Sequence, residues 1–298
     1  MYRGRFAPSP TGDLHAGSML VALGSWLLAR QSSGQWLVRI EDLDPPREIA
    51  GAAAAQMHTL ERFGLQHDGA VIRQSQRAAV YREALEKLLA DGRAFECHCS
   101  RAELATQAGI HRRCVATTRR PNPAIRLRVP DNCEIGFDDL VHGHVRQRVD
   151  RDVGDFVLWR ADGQCAYQLA VVVDDAAQAV TDVVRGADLL DSTPRQILLQ
   201  HALGLATPTY AHLPLLLDST GRKLSKSEAA QTLAAVNVLQ ALQALWRCLG
   251  QAPMAQASTE TPDGFLEAAT RNFQPCQIPR HCLPASAAVH NAAATSRD

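Results

Sequence analysis

The spacing of apolar residues changes period several times along the chain. Arg3 to Ala7 forms a short extended run that enters a Pro/Gly-rich turn, PSPTG (Pro8–Gly12). From Ala16 the pattern becomes helical, with Leu20, Leu23 and Leu27 on one face, and it stops near Gly34. Trp36 to Ile40 then reads as a buried strand. Strand, turn, helix and strand in this order predict a βαβ unit, hence a parallel sheet with a right-handed crossover. Pro45 and Pro46 open a second helical stretch, Arg47 to Phe63, and a third, Ala78 to Ala90, places Tyr81, Leu85 and Leu88 on one face. Between about Phe95 and Arg160 the rhythm is lost, and only short extended pieces such as AIRLRVP and HVRQRV stand out. Tyr167–Val173 and Val180–Arg185 read as strands, Thr193–Leu203 as a helix, and PLLLDSTGRKLSKS (Pro214–Ser227) as a strand followed by a loop. A last helix carries Leu239, Leu242, Trp246 and Leu249 in register, and the tail after Pro284 is Ala/Ser/Asn-rich and is expected to be disordered. The whole reads as an α/β protein whose two halves are separated by an insertion.

The chain has 298 residues with ordinary apolar and charged fractions, enough for a substantial core. Thirty-one basic residues balance thirty-one acidic ones, so net charge does not single out a nucleic-acid partner. Its distribution is less even. No acidic residue lies between Glu103 and Asp131, where Arg112, Arg113, Arg119, Arg120, Arg126 and Arg128 all fall. Such a stretch either holds phosphates or is a solvated basic face. The N-terminus lacks the apolar core of a secretory signal, and no apolar run approaches the ~20 residues of a membrane span. A cytoplasmic location and no membrane association are expected.

Eight cysteines show no framework spacing, but Cys97, Cys99 and Cys114 are clustered. With His111 they give C-x-C-x11-H-x2-C, three thiolates and one imidazole that satisfy one tetrahedral zinc ion and leave no open position. The expected role is structural; the alternative is four ordinary reduced side chains. His98 competes as a ligand, although in an extended segment its side chain points away from its two neighbours.

Two further segments have the chemistry to hold phosphates. RFAPSPTGDLHAGS (Arg5–Ser18) puts a compact turn before a helix, leaving backbone N–H groups and the positive end of the helix dipole free for an anion, with His15 at the helix start as a donor. GRKLSKS (Gly221–Ser227) places two lysines three apart among serines, mobile point charges able to follow charge as it develops. Either alone could be a plain surface loop.

Together, HAGS (His15–Ser18) and KLSKS (Lys223–Ser227) resemble the two signature sequences of the class I aminoacyl-tRNA synthetases, in their order and on their expected elements. Ser18 stands where the second signature histidine lies, a replacement that marks the glutamyl/glutaminyl branch. The resemblance implies a doubly wound, Rossmann-like parallel sheet that grips ATP, entering with Mg2+, between the signatures. It assigns His15 and Lys226 to catalysis, and Pro8, His15, Gly17, Ser18, Lys223, Ser225, Lys226 and Ser227 to ATP. IEDLD (Ile40–Asp44), YQLAVVVDD (Tyr167–Asp175) and VVRGADLLDSTPRQ (Val183–Gln196) narrow it to the glutamate branch. There Arg5, Phe6, Ala7, Pro8, Ser9, Glu41, Tyr167 and Arg185 are implied to line the L-glutamate pocket, the arginines taking carboxylate and Glu41 the ammonium.

Only 71 residues follow Ser227, which leaves no room for the anticodon-binding region of a full glutamyl-tRNA synthetase. The chain therefore resembles the truncated glutamyl-Q tRNA(Asp) synthetase family. That family attaches glutamate to the queuosine base at the wobble position of the tRNA(Asp) anticodon. The partners implied are L-glutamate, ATP and the tRNA(Asp) anticodon stem-loop, met by a monomer. A compact enzyme charging the 3′ end of tRNA(Glu) is the alternative. The expected organisation is residues 1–94 and 161–212 as the halves of the nucleotide-binding fold, 95–160 as an inserted zinc-containing subdomain, 213–284 as the KLSKS loop and a helical region, and 285–298 as the tail.

Overall fold

The computed structural model describes residues 1–222, 236–254 and 260–286. Its strands are β1 (Arg3–Phe6), β2 (Gln35–Ile40), β3 (Ile72–Arg73), β4 (Ala94–Cys97), β5 (Ala124–Leu127), β6 (Glu134–Asp139), β7 (Gly143–Arg148), β8 (Val157–Trp159), β9 (Asp182–Gly186), β10 (Thr209–Leu213), β11 (Leu216–Leu217) and β12 (Leu283–Pro284). The helices are α1 (Ala16–Gln31), α2 (Ala52–Arg62), α3 (Ala78–Ala90), α4 (Arg101–Ala105), α5 (Val149–Asp152), α6 (Tyr167–Ala177), α7 (Thr193–Leu203), α8 (Val238–Cys248) and α9 (Pro262–Asn272). None of the described helices is long and apolar enough to cross a membrane.

Seven strands form one sheet in the order β3-β2-β1-β9-β10-β6-β7, parallel throughout except for the antiparallel hairpin β6–β7. The segment between the two halves of the fold therefore divides its strands. β4, β5 and β8 make a separate three-stranded antiparallel sheet, while β6 and β7 extend the main one beyond β10. Neighbouring residues of a strand face opposite sides of its sheet. Val184 of β9 joins the cluster that contains Leu20, Leu23 and Leu27, whereas Val183 packs with Ile197 of α7. Helices thus cover both faces, which is the doubly wound arrangement. From β1 the chain proceeds to β2 and β3 on one side, and β9 and β10 lie on the other. The reversal leaves a crevice at the carboxyl ends of β1 and β9, where such sheets bind ligands.

The helix α1 is buried on nearly every side, because the sheet covers one face and α8 and α9 cover another. Two expectations need correction. Tyr167–Val173 is the start of helix α6, not a strand. Leu169 to Val173 are buried among α3, α7 and β8, so every position is apolar and the helical period is hidden. The stretch opened by Pro45 and Pro46 makes only a single tight 3-10 turn, Pro45–Arg47, and Glu48 is extended. The helix starts at Ala52.

Candidate active site

A cleft of about 520 Å3 lies in that crevice, walled by the ends of β1 and β9, the loop after β1 and the first turn of α1. His15 caps α1: its Nδ1 accepts from the Ser18 backbone N–H at 3.2 Å. In the neutral ring the proton therefore sits on Nε2, 3.2 Å from the Ser18 hydroxyl. Gly17 makes room for this, since a Cβ there would fall 3.0 Å from the imidazole. The loop before the cap is held from behind by Gln56 of α2, whose amide donates to Ser9 O at 3.0 Å and Gly12 O at 2.7 Å. The result is a fixed helix N-terminus facing the cleft, a natural seat for phosphate oxygens.

Deeper in the cleft the chemistry becomes ionic. Arg5, buried, makes a forked contact with Asp175 (Nε–Oδ1 3.0 Å, Nη2–Oδ2 3.1 Å). Asp175 also accepts from Arg39 Nη1 at 2.7 Å, and Arg39 Nη2 reaches Glu41 at 3.1 Å. Burial opposes ionisation of Asp175, but the two guanidiniums outweigh it and hold its carboxyl below the usual value. Glu41 differs: burial dominates and raises its pKa, although Arg39 and Arg5 pull the other way. Tyr167 is likewise pushed up by burial, so its hydroxyl stays a donor. Arg185 stands on β9, the strand next to β1, with Nη1 2.8 Å from Gln196 Oε1 and 3.5 Å from Tyr167 Oη. Two cations and one high-pKa carboxyl around a half-polar space suit a small zwitterion carrying extra carboxylate.

The structure brings Arg5, Phe6, Ala7, Pro8, Ser9, His15, Gly17, Ser18, Glu41, Tyr167 and Arg185 to this one cleft. Lys223, Ser225, Lys226 and Ser227 lie outside the described residues. The chain approaches them through a tight turn in which Asp218 Oδ1 accepts from the N–H groups of Thr220 (2.7 Å) and Arg222 (3.0 Å), just beyond Pro214–Leu216 of the cleft wall. Sequence reading missed Gln56, Arg39 and Asp175. The available signal was Arg39 itself, a charged residue inside the apolar strand Trp36–Ile40.

At the far end of β4 the ligand atoms of Cys97, Cys99, His111 and Cys114 lie within 4.8 Å of one another. Thiolates 2.3 Å from a central zinc stand about 3.8 Å apart, so a small contraction would close a tetrahedron. His111 turns Nε2 toward Cys114 Sγ (3.6 Å) while Nδ1 meets Asp155 Oδ2 at 2.8 Å, the carboxylate support usual for a ligating imidazole. The Val115 N–H donates to Cys99 Sγ at 3.2 Å. Burial and the neighbouring sulfurs push the Cys114 thiol up to about 11, a crowding that a divalent cation would reverse. His98 points elsewhere, and its Nδ1 accepts from Arg120 N at 3.0 Å. The residues fit zinc. Of the six clustered arginines, Arg112, Arg113, Arg119 and Arg120 are exposed. Arg126 donates to Asp155 O at 2.8 Å, and Arg128 stacks 4.6 Å over Phe95.

Comparison with known proteins defines the class first. Residues 1–124 and 116–245 match the family described as tRNA synthetases class I (E and Q), catalytic domain. A glutamate tRNA ligase from Elizabethkingia meningosepticum CCUG26117, solved in complex with its amino acid, superposes with a TM-score of 0.80 at 25% identity over 96% of this chain and 68% of that one. The glutamyl-Q tRNA(Asp) synthetase of Xanthomonas campestris pv. campestris (strain 8004) is 60% identical over 281 residues, 94% of each chain. That of Pseudomonas aeruginosa (strain PAO1) is 50% identical over 94% of this chain and 96% of its own. The chain belongs to the class I glutamyl/glutaminyl-tRNA synthetase family and, within it, to the glutamyl-Q tRNA(Asp) synthetases.

Proposed function

We propose that this protein activates L-glutamate with ATP and transfers it to the queuosine base of the tRNA(Asp) anticodon. The observation that carries the reading is the cleft itself: a capped helix N-terminus at one end and Arg5, Glu41, Tyr167 and Arg185 at the other, in a chain of this family. In the first step a glutamate α-carboxylate oxygen attacks the α-phosphorus of ATP, the bond to the β-phosphate oxygen breaks, and pyrophosphate leaves. Arg185 and Arg5 hold carboxylate, Glu41 takes the ammonium, and Tyr167 adds a hydroxyl. Pro8, Gly17, Ser18 and His15 receive ATP at the helix end, and the KLSKS signature assigns Lys223, Ser225, Lys226 and Ser227 to its phosphates. Mg2+ accompanies ATP as part of the substrate. No protein nucleophile is needed, so acceleration comes from positioning and charge stabilisation.

In the second step a hydroxyl of the queuosine cyclopentene ring attacks the glutamyl carbonyl carbon and AMP departs. Cys97, Cys99, His111 and Cys114 would hold one structural zinc that braces the loop carrying Arg112, Arg113, Arg119 and Arg120. These exposed arginines are suited to the phosphates of the anticodon stem-loop. The reading is tested by charging purified tRNA(Asp) with labelled glutamate. Queuosine-containing tRNA(Asp) should accept label that is recovered with the anticodon-loop fragment after nuclease digestion, and queuosine-lacking tRNA(Asp) should accept none. Label on tRNA(Glu) instead would overturn it.

A further inference from the structure

Behind Arg185 lies a buried chain of polar groups to which the first step assigns nothing. Arg185 Nε donates to His212 Nε2 at 3.1 Å, and His212 Nδ1 lies 2.6 Å from Asp139 Oδ2. His212 and the Asp139 side chain are fully buried. The protonation pattern is dictated by the arginine. A guanidinium nitrogen only donates, so Nε2 must accept and the ring proton must sit on Nδ1, donated to Asp139. The Thr193 hydroxyl, 3.1 Å from the same Nε2, accepts from Arg185 Nη2 at 2.8 Å and so joins the same anchor. Asp139 is fixed in turn by the backbone N–H groups of Val141 and His142, each at 2.9 Å from Oδ1.

We propose that His212 is a positioning residue for Arg185, and that its acceptor nitrogen makes recognition of the carboxylate ligand sensitive to acid. The inference rests on Arg185 being a ligand contact. The other acceptors around its guanidinium, Gln196 Oε1, Thr193 Oγ1 and Leu189 O, do not titrate, and burial pushes the Tyr167 hydroxyl, 3.5 Å away, further above neutral pH. His212 does. A proton on Nε2 removes the acceptor and sets an imidazolium against a guanidinium in a dry site, and both effects drive Arg185 from its place. The groups facing His212 are Asp139 from the end of β6, His142 from the turn after it, Arg185 from β9, Thr193 from α7 and Tyr210 from its own strand. Burial, Arg185 and His142 lower its pKa while Asp139 opposes them, so the ring is neutral at pH 7 and the acid effect begins below the ordinary 6.5.

The test is glutamate-dependent ATP–pyrophosphate exchange by the full chain, followed from about pH 7.5 to about pH 5.5, in the wild type and in His212→Leu, His212→Gln and Arg185→Ala. His212→Leu should raise KM for glutamate about tenfold at neutral pH, with KM for ATP changed less than about twofold. His212→Gln places a non-titrating oxygen near the Nε2 position. It should recover most of that loss, and the ratio of wild-type to variant KM should climb as pH falls. Glu41, the other acid-sensitive group of the cleft, cancels in that ratio. A ratio that stays flat, or a His212→Leu protein in which both KM values rise together, would sink the proposal. If His212→Leu does not fold, the His212→Gln profile still decides. Arg185→Ala separates the two levels: an unchanged glutamate KM there defeats the ligand reading of Arg185, whereas a large rise there with none in His212→Leu defeats the positioning role alone.

Discussion

The ligand cleft and the Cys/His cluster handle charge in opposite ways. In the cleft the protein supplies both signs. Arg5 and Arg39 share Asp175, Arg39 also holds Glu41, and Asp174 accepts from Gln74, Arg77 and Tyr81. Most of the network is paired before any substrate enters, as preorganised electrostatics require; the exception is Arg39 Nε, which makes no hydrogen bond and lies 3.8 Å from Asp174 Oδ2. At Cys97, Cys99, His111 and Cys114 the protein supplies donors of one kind and crowds them, which calls for a cation from outside. One region finds its partners inside the protein, and the other offers ligands that a cation would complete.

The comparison breaks most sharply at Asp175. Asp175→Ala leaves two buried guanidiniums without their shared partner and should cost about 3–5 kcal/mol of folding stability, read by urea unfolding. A loss below about 1 kcal/mol, within the range of surface substitutions, would mean that the cleft is not internally compensated. The second region is sharpened by metal removal. Elemental analysis should find one zinc per chain. Chelation should then raise amide hydrogen exchange across residues 97–117 while β1, β2 and β9 stay protected. A protein that purifies without zinc and is equally protected there would show a cluster stable on its own hydrogen bonds.

The two regions also differ in how well the sequence announced them. The cluster spans 18 residues, and its ligand spacing alone pointed to a tetrahedral metal site. The cleft joins residues as far apart as Arg5 and Asp175, and no local pattern reports such pairs. His15 apart, which the turn before α1 marks by itself, its residues are named only through short motifs that resemble a known family. Gln56, Arg39 and His212, which the motifs do not include, escaped, and so did Asp175, which YQLAVVVDD includes without assigning it a role. Amphipathic elements read well: α3 and α7 occupy Ala78–Ala90 and Thr193–Leu203 as the spacing predicts. α6 failed because its run Leu169–Val173 is apolar at every position, whereas α7, buried as extensively, keeps polar residues between its apolar ones. The hairpin β6–β7 reaches the main sheet through β10, some seventy residues later in sequence, a pairing that alternation cannot foresee.

A glutamate pocket whose charged side chains are already held by protein partners should activate its amino acid without tRNA. The most direct measurement is ATP–pyrophosphate exchange by the purified chain with each of the twenty amino acids and no tRNA. Exchange supported by L-glutamate, and by glutamine and aspartate at least about a hundredfold less, is the expected result, since unmatched buried charge costs on the order of 3 kcal/mol. No exchange with glutamate until tRNA is added, or equal exchange with glutamine, would contradict a preorganised glutamate cleft.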